Sequence, residues 1–299
     1  MRSGFISFKR VTKMRIAGCL LMMGMIFAYP DKTATAARMA LYVFGHDIVP
    51  VLFPYMVLTR ILVSKTKEAG NSSYWFLIPI GWLGGSPSGA SMIRSFYSNQ
   101  SIPRRTLLLL CAITGTISPA FLLNTVGSWF QDSVVSASLV ISHFAGAALT
   151  SALIFIRSSN DESIISPTSV SETKAEGNVI QACAASVLGI GGCLVFFSVL
   201  SEVISSLVFK SGGILTSLIH ALLEISGGLK KLGDHLPERR MIAGILSSFA
   251  CGFNGLSMLS QNILFLKEFE VTMVQLIAIG LLRAILSAVV MMILLLYSS

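Results

Sequence analysis

The sequence predicts an all-α, polytopic integral membrane protein, and three observations carry that reading. Of its 299 residues, 54% are hydrophobic and only 12% are charged, whereas an ordinary soluble domain carries about 25% charged residues. Apolar windows at 16–30, 106–128, 133–156, 178–209 and 271–298 approach or exceed the ~20 residues that cross a bilayer. Polar punctuation then divides the chain into two halves of similar order. The expectation is about eight membrane segments in two pseudo-repeated halves, with broken or re-entrant helices.

Residues 1–35 form a basic N-terminus and a first membrane helix. Arg2, Lys9, Arg10, Lys13 and Arg15 precede its apolar run, which by the positive-inside rule predicts a cytoplasmic N-terminus. A secretory leader would begin similarly, but Tyr29-Pro30-Asp31 is a poor small-residue cleavage site, so a retained helix is expected.

Residues 36–157 make the first half. An element over 37–64 is expected to be interrupted at Pro50 and Pro54. Next comes LGGSPSGASM (83–92), followed by spans at 106–128 and 133–157. Residues 158–177, SSNDESIISPTSVSETKAEG, are the long hydrophilic stretch and read as an exposed linker. Residues 178–299 repeat the order with elements at 178–209, 213–229, 240–266 and 271–298. Sliding VLFPYMVLTRIL (51–62) onto CLVFFSVLSEVI (193–204) pairs Leu52 with Leu194, Val57 with Val199 and Leu58 with Leu200. It also sets Arg60 opposite Glu202, an internal ion pair in prospect.

The formal net charge of +8 is dispersed among short connections, whereas a nucleic-acid footprint is clustered on one face. The lipid bilayer, not nucleic acid, is therefore the expected partner. Cys19, Cys111, Cys183, Cys193 and Cys251 stand singly in apolar segments and read as small core residues, so no metal or other cofactor is expected. There is no HExxH, GxSxG or P-loop, and no enzyme is predicted.

The candidate chemistry lies in the interrupted segments. In lipid, every backbone N–H and C=O needs a partner within the protein, so a non-helical stretch survives only where protein or water covers it. Gly85, Ser86, Ser88, Gly89 and Ser91, with Pro87 among them, predict such a break. At a break, free N–H groups at a helix start and nearby hydroxyls can hold a carboxylate or another polar solute. Close helix packing through small residues is the alternative use of the same stretch. Two more stretches share this character: GTISPAFLLNTVG (115–127), with Thr116, Ser118 and Asn124, and CGFNGLSMLSQN (251–262), with Asn254, Ser257 and Gln261. In EISGG (224–228) the glycines read instead as a helix C-terminus.

Ionisable residues within apolar segments are Arg94, His143, Glu202, His220, Glu224 and Arg283, and such residues usually face an interior cavity. His220 and Glu224 are four apart, which on one helix face with Ser217 suggests a proton or substrate site. His143, being isolated, reads as a structural histidine.

GGSPSGAS, SPAFLLNTVG, IGGCLVFFSVL, ALLEISGG and CGFNGLSMLSQ, in that order over nearly the whole chain, resemble the nucleoside-recognition Gate domain membrane proteins, and the sporulation members most of all. The resemblance implies a transporter or permease component for a small polar, anionic solute. In the sporulation members that solute is dipicolinate, a dicarboxylate moved toward the forespore across the mother-cell or outer forespore membrane. Such a dianion would suit helix starts and a cation such as Arg94 or Arg283. Where the family pattern often carries Lys, this chain has Ser91. Gly115 and Thr116 replace an Asn-Asn pair, Asn254 a glycine and Leu259 a histidine. A non-transporting scaffold for spore envelope assembly, acting with sporulation membrane partners or as a homo-oligomer, is the competing expectation.

Overall fold

The computed structural model describes residues 16–68, 73–98, 100–157, 163–167, 179–208 and 213–298. The basic residues at positions 2–15, and most of the 158–177 linker, lie outside the described residues. The protein is an all-α integral membrane protein. Five helical stretches among the described residues are long and apolar enough to cross a membrane: Pro30–Glu68, Ser133–Arg157, Val179–Ser206, Leu236–Phe269 and Met273–Tyr297.

Helix α1 (Ile16–Ala28) is short and apolar. Helix α2 (Pro30–Val43) opens on a proline, whose missing N–H costs nothing at a first turn. It runs through a π-helical segment, Phe44–Ile48, into α3 (Val49–Glu68). The expected interruption at Pro50 and Pro54 is not found, because the chain stays helical through both. The irregularity stands a turn earlier: the Val49 N–H reaches back to the Phe44 carbonyl. This widened turn takes up the lost donor and ring clash that proline brings to a helix.

Four interrupted pairs and three long helices make up the rest. Helix α4 (Leu77–Gly84) breaks before α5 (Ser88–Tyr97). Helix α6 (Arg104–Thr114) breaks before a π-helical turn, Phe121–Val126, that leads into α7 (Gly127–Phe130). The long helices α8 (Ser133–Arg157) and α9 (Val179–Val208) follow. Helix α10 (Ile214–Leu223) then breaks before α11 (Ile225–Gly233), α12 (Leu236–Phe253) breaks before α13 (Gly255–Leu266), and α14 (Met273–Tyr297) closes the chain. A two-residue antiparallel ladder, β1 (Ile102–Pro103) with β2 (Ile164–Ile165), pairs Ile102 with Ile165 and ties one described piece of the linker segment to the start of α6.

Helix α14 packs along α8 and α12, and small residues permit the close approach. A Cβ at Gly252 would stand 2.5 Å from the Ala284 Cα, and one at Gly146 would stand 2.9 Å from the Ser287 N. Buried apolar side chains form one cluster around Phe96, Leu107, Phe253 and Phe269 and another around Leu122, Leu139, Leu229 and Met291. Large apolar side chains such as Leu20, Phe27, Leu188 and Ile285 remain exposed on the outside. That is the surface expected where hydrocarbon, not water, is the solvent.

Candidate functional site

The helix breaks are built from residues with unusual backbone freedom, and each is held by its neighbours. Gly85 has φ +65°, and a Cβ there would lie 2.5 Å from the Ser118 N, so only glycine allows the two breaks to touch. The Ser86 N–H donates to the Thr116 carbonyl, and the Ser86 hydroxyl reaches Asn262 Oδ1 at 2.7 Å. Asn254 sits at φ 74°, a left-handed conformation that asparagine tolerates better than other side-chain-bearing residues. Its amide donates to the Gly115 carbonyl, which joins the α12–α13 break to the α6 end. His143 is fully buried, and its Nε2 accepts the Ile117 N–H at 2.8 Å. It thus supports the backbone beyond α6, consistent with a structural role.

Arg283 is 2% exposed. Its Nε donates to the Gly252 carbonyl at 2.6 Å and its guanidinium to the Ala112 carbonyl at 3.1 Å. The cation therefore serves the C-terminal ends of α12 and α6, where helix dipoles and orphan carbonyls favour positive charge. Arg94 pairs with Glu268 at 2.6 Å. Neither arginine lines the cavity described below, so the expected cationic partner for an anion is committed elsewhere.

The EISGG reading is overturned. The chain breaks at Glu224, which is extended (φ −137°, ψ 116°), and its carboxylate caps α11 by accepting the Ser226 N–H at 2.8 Å and the Gly227 N–H at 2.7 Å. The glycines thus lie inside α11. Gly228 packs on the end of α10, where a Cβ would come within 2.1 Å of the Ala221 backbone. His220 and Glu224 consequently do not share one continuous helix face. The imidazole turns to Ser201, Ser205 and Lys231, with Lys231 Nζ 3.0 Å from its Nε2. Glu202 pairs with Lys231 at 3.8 Å, not with Arg60, which lies beside Cys183.

The breaks border a partly open cavity of about 330 Å³. Of the sequence-predicted residues, Ser86, Ser118, Asn124, Glu224, Ser257 and Gln261 line it. The others shape it from behind. Gly85 and Gly89 admit the Ser118 and Thr114 backbones. Ser88 turns its hydroxyl back to the Gly85 carbonyl. Ser91 is half-buried on α5 away from the lining. Thr116 Oγ1 and Asn254 Oδ1 are buried without a hydrogen-bond partner. Sequence reasoning missed His46, Asp47 and Tyr55, which line the same cavity from the π-helical segment and α3. Among the described residues the lining carries no lysine or arginine, and its acidic groups are Asp47 and Glu224. No cluster of histidine, cysteine or carboxylate groups suited to a metal occurs among the described residues.

These features define a class: a helical integral membrane protein whose interrupted helices meet around a cavity lined by both polar and apolar side chains. The chain is similar to the sporulation integral membrane protein YlbJ of Bacillus subtilis (strain 168). The two are 20% identical over 348 aligned residues that cover 97% of this chain and 84% of that protein. No protein-family model matches the chain, and no solved structure matches it.

Proposed function

We propose that the protein is a permease component that moves a small polar solute across a membrane of a sporulating cell, in the manner of a Gate domain transporter. One observation carries the reading: four stretches that break helices, around Gly85, Ser118, Glu224 and Asn254, meet at one cavity. Uncovered backbone is costly in hydrocarbon, so four broken helices at one place imply a use for the polar groups they release. The recurring order of long helix, two interrupted pairs and long helix supports two pseudo-repeated halves, the architecture in which transporters place their sites between repeats.

Dipicolinate is the first solute to test, because the Gate resemblance implies it. A dianion would meet Ser86, Ser118 and Gln261 as hydrogen-bonding groups, but Asp47 and Glu224 as like charges. Entry of an anion therefore calls for neutralisation of a carboxylate, by a proton or a cation. Similarity to a sporulation protein supports the setting, not the solute.

The experiment is uptake into vesicles that contain the purified protein, with dipicolinate and uncharged polar solutes compared. Replacing Ser86, Ser118 and Gln261 together with leucine should abolish uptake while the protein still inserts. Undiminished uptake by the triple variant would refute the site. Absence of uptake of every solute, with normal dipicolinate in spores of a deletion strain and lost localisation of other envelope proteins, would favour the scaffold.

A further inference from the structure

Glu224 faces two separate openings. One is the cavity at the helix breaks. The other, of about 560 Å³, lies toward α2 and the start of α11. Asp47, Leu194, Glu224 and Ser226 line both. Leu194 and Ser226 do not titrate in the ordinary pH range, and Asp47, with its side chain 29% exposed, is already bonded to His46 at 2.8 Å. Glu224 is 5% exposed. It is the buried titratable residue that both compartments share among the described residues.

The two compartments differ in what else they contain. On the central side, the titratable neighbours are His46 and Asp47 from the π-helical segment and Tyr55 from α3; α4, the break after it, residues 117–125, α9, α11 and α13 contribute only uncharged groups. On the outer side, α2 supplies Asp31, Lys32 and Tyr42, the π-helical segment supplies the shared Asp47, α9 supplies Glu202, α10 supplies His220, and α11 supplies Lys230 and Lys231. Glu202, Lys231 and His220 form a connected set there, through contacts of 3.8 and 3.0 Å. Proton donors and acceptors thus reach the outer side of the Glu224 wall, and the solute cavity lies on its inner side.

The charge state of Glu224 also decides what the α11 start can bind. Ionised, the carboxylate occupies the Ser226 and Gly227 N–H groups and repels a second anion. Protonated, it accepts those bonds more weakly and leaves the positive end of a nine-residue helix uncompensated. Proton and anion occupancy at this break therefore rise together, and the linkage is reciprocal.

We infer that Glu224 is a proton-binding site that couples passage of an anionic solute through the central cavity to movement of a proton between the two compartments. The proton adds to the carboxylate oxygen from one side and leaves to the other, with no other bond made or broken. The inference rests on the permease reading, and its test separates the two.

In the first arm, infrared difference spectra of the full-length protein in a lipid film are recorded as pH is stepped. A protonated-carboxyl C=O band that shifts in D2O is expected in the wild type and should be lost in Glu224→Gln. In the second arm, dipicolinate uptake is measured in proteoliposomes with the membrane potential clamped at zero. An inward proton gradient should accumulate the probe up to about tenfold per pH unit for one proton per solute, and Glu224→Gln should equilibrate it without accumulation.

The inference falls if the wild type shows no such band, or if Glu224→Gln keeps either the band or the accumulation. Should Glu224→Gln fail to fold, Glu224→Asp decides, because it keeps a protonatable carboxyl: the band should move in frequency, and an unmoved band would overturn the assignment. A Glu224 band without dipicolinate movement would uphold the proton site and defeat the permease reading for this solute. Movement indifferent to the gradient, with no band, would do the reverse.

Discussion

Asn254 offers the sharpest test of how the breaks are held together, because two substitutions there separate its side chain from its backbone. Its amide donates to the Gly115 carbonyl while its backbone holds φ 74°. Asn254→Gly keeps the left-handed conformation and removes only the amide, leaving a buried carbonyl one donor short, at a cost of about 1–3 kcal/mol. Its Oδ1 has no partner, so removing that atom relieves part of the cost, and the lower half of the range, about 1–2 kcal/mol, is expected. Asn254→Ala loses the same bond and keeps a Cβ in the left-handed region without the amide that lets asparagine tolerate it, so it should cost about 1–2 kcal/mol more than the glycine variant. At about 2 °C per kcal/mol for a chain of this size, the glycine variant should melt about 2–4 °C lower and the alanine variant about 4–8 °C lower. Cys111 and Cys251 are free and buried, so a thiol-reactive dye reports the unfolding of protein purified in mild detergent. Equal stability of the glycine variant and the wild type would refute the link to Gly115. Equal stability of the two variants would refute the left-handed assignment.

Two further predictions test packing and charge. Gly228→Ala forces a Cβ to within 2.1 Å of the Ala221 backbone, whereas Gly192 has nothing within 4 Å of its Cβ position. The first should abolish accumulation of folded protein in membranes and Gly192→Ala should not, as read by fluorescence-detected size-exclusion chromatography. The Arg240 guanidinium beside Asp132, at 2.7 Å, holds that carboxyl below the usual carboxylate range. Because the folded-state value is the depressed one, the pair's stabilisation is present above the unfolded carboxylate value of about 4 and is lost as pH falls through the folded value. Both side chains are partly exposed, so a double-mutant cycle with Asp132→Asn and Arg240→Gln should give no more than about 1 kcal/mol at neutral pH, shrinking toward zero in acid. A coupling that grows on acidification would refute the assignment.

The membrane class and three of the breaks were legible because glycine, proline and asparagine advertise backbone that a helix does not want. The fourth, at Glu224, was not, because EIS contains no helix breaker. Its signal was a carboxylate followed two and three residues later by serine and glycine, the spacing of a side chain that caps the next helix. Pro50 and Pro54 misled in the opposite direction, since a widened turn upstream absorbed them. Partners were the least legible. Glu202 meets Lys231 from a different helix, and no alignment of the halves foretells which cation the fold delivers. The sequence pointed to stretches that come to border the cavity but could not sort a hydroxyl that lines it, such as that of Ser118, from one that turns back on its own helix, such as that of Ser88.

The interrupted helices solve one another's problem. Each break frees carbonyls and N–H groups that hydrocarbon cannot satisfy, and a neighbouring break or a buried side chain supplies the partner: Ser86 N–H for Thr116, Asn254 for Gly115, Arg283 for Gly252 and Ala112, His143 for Ile117. One break alone in lipid would be several groups short; several together leave few atoms over. Two leftovers, Thr116 Oγ1 and Asn254 Oδ1, lie within the breaks that border the cavity. Glu224 differs from the rest because the side chain that satisfies its own helix is a carboxylate, which a proton can neutralise. The mutually satisfied breaks brace one another, and the carboxylate-capped break at Glu224 is the place where the proposed proton would act without undoing a bond between breaks.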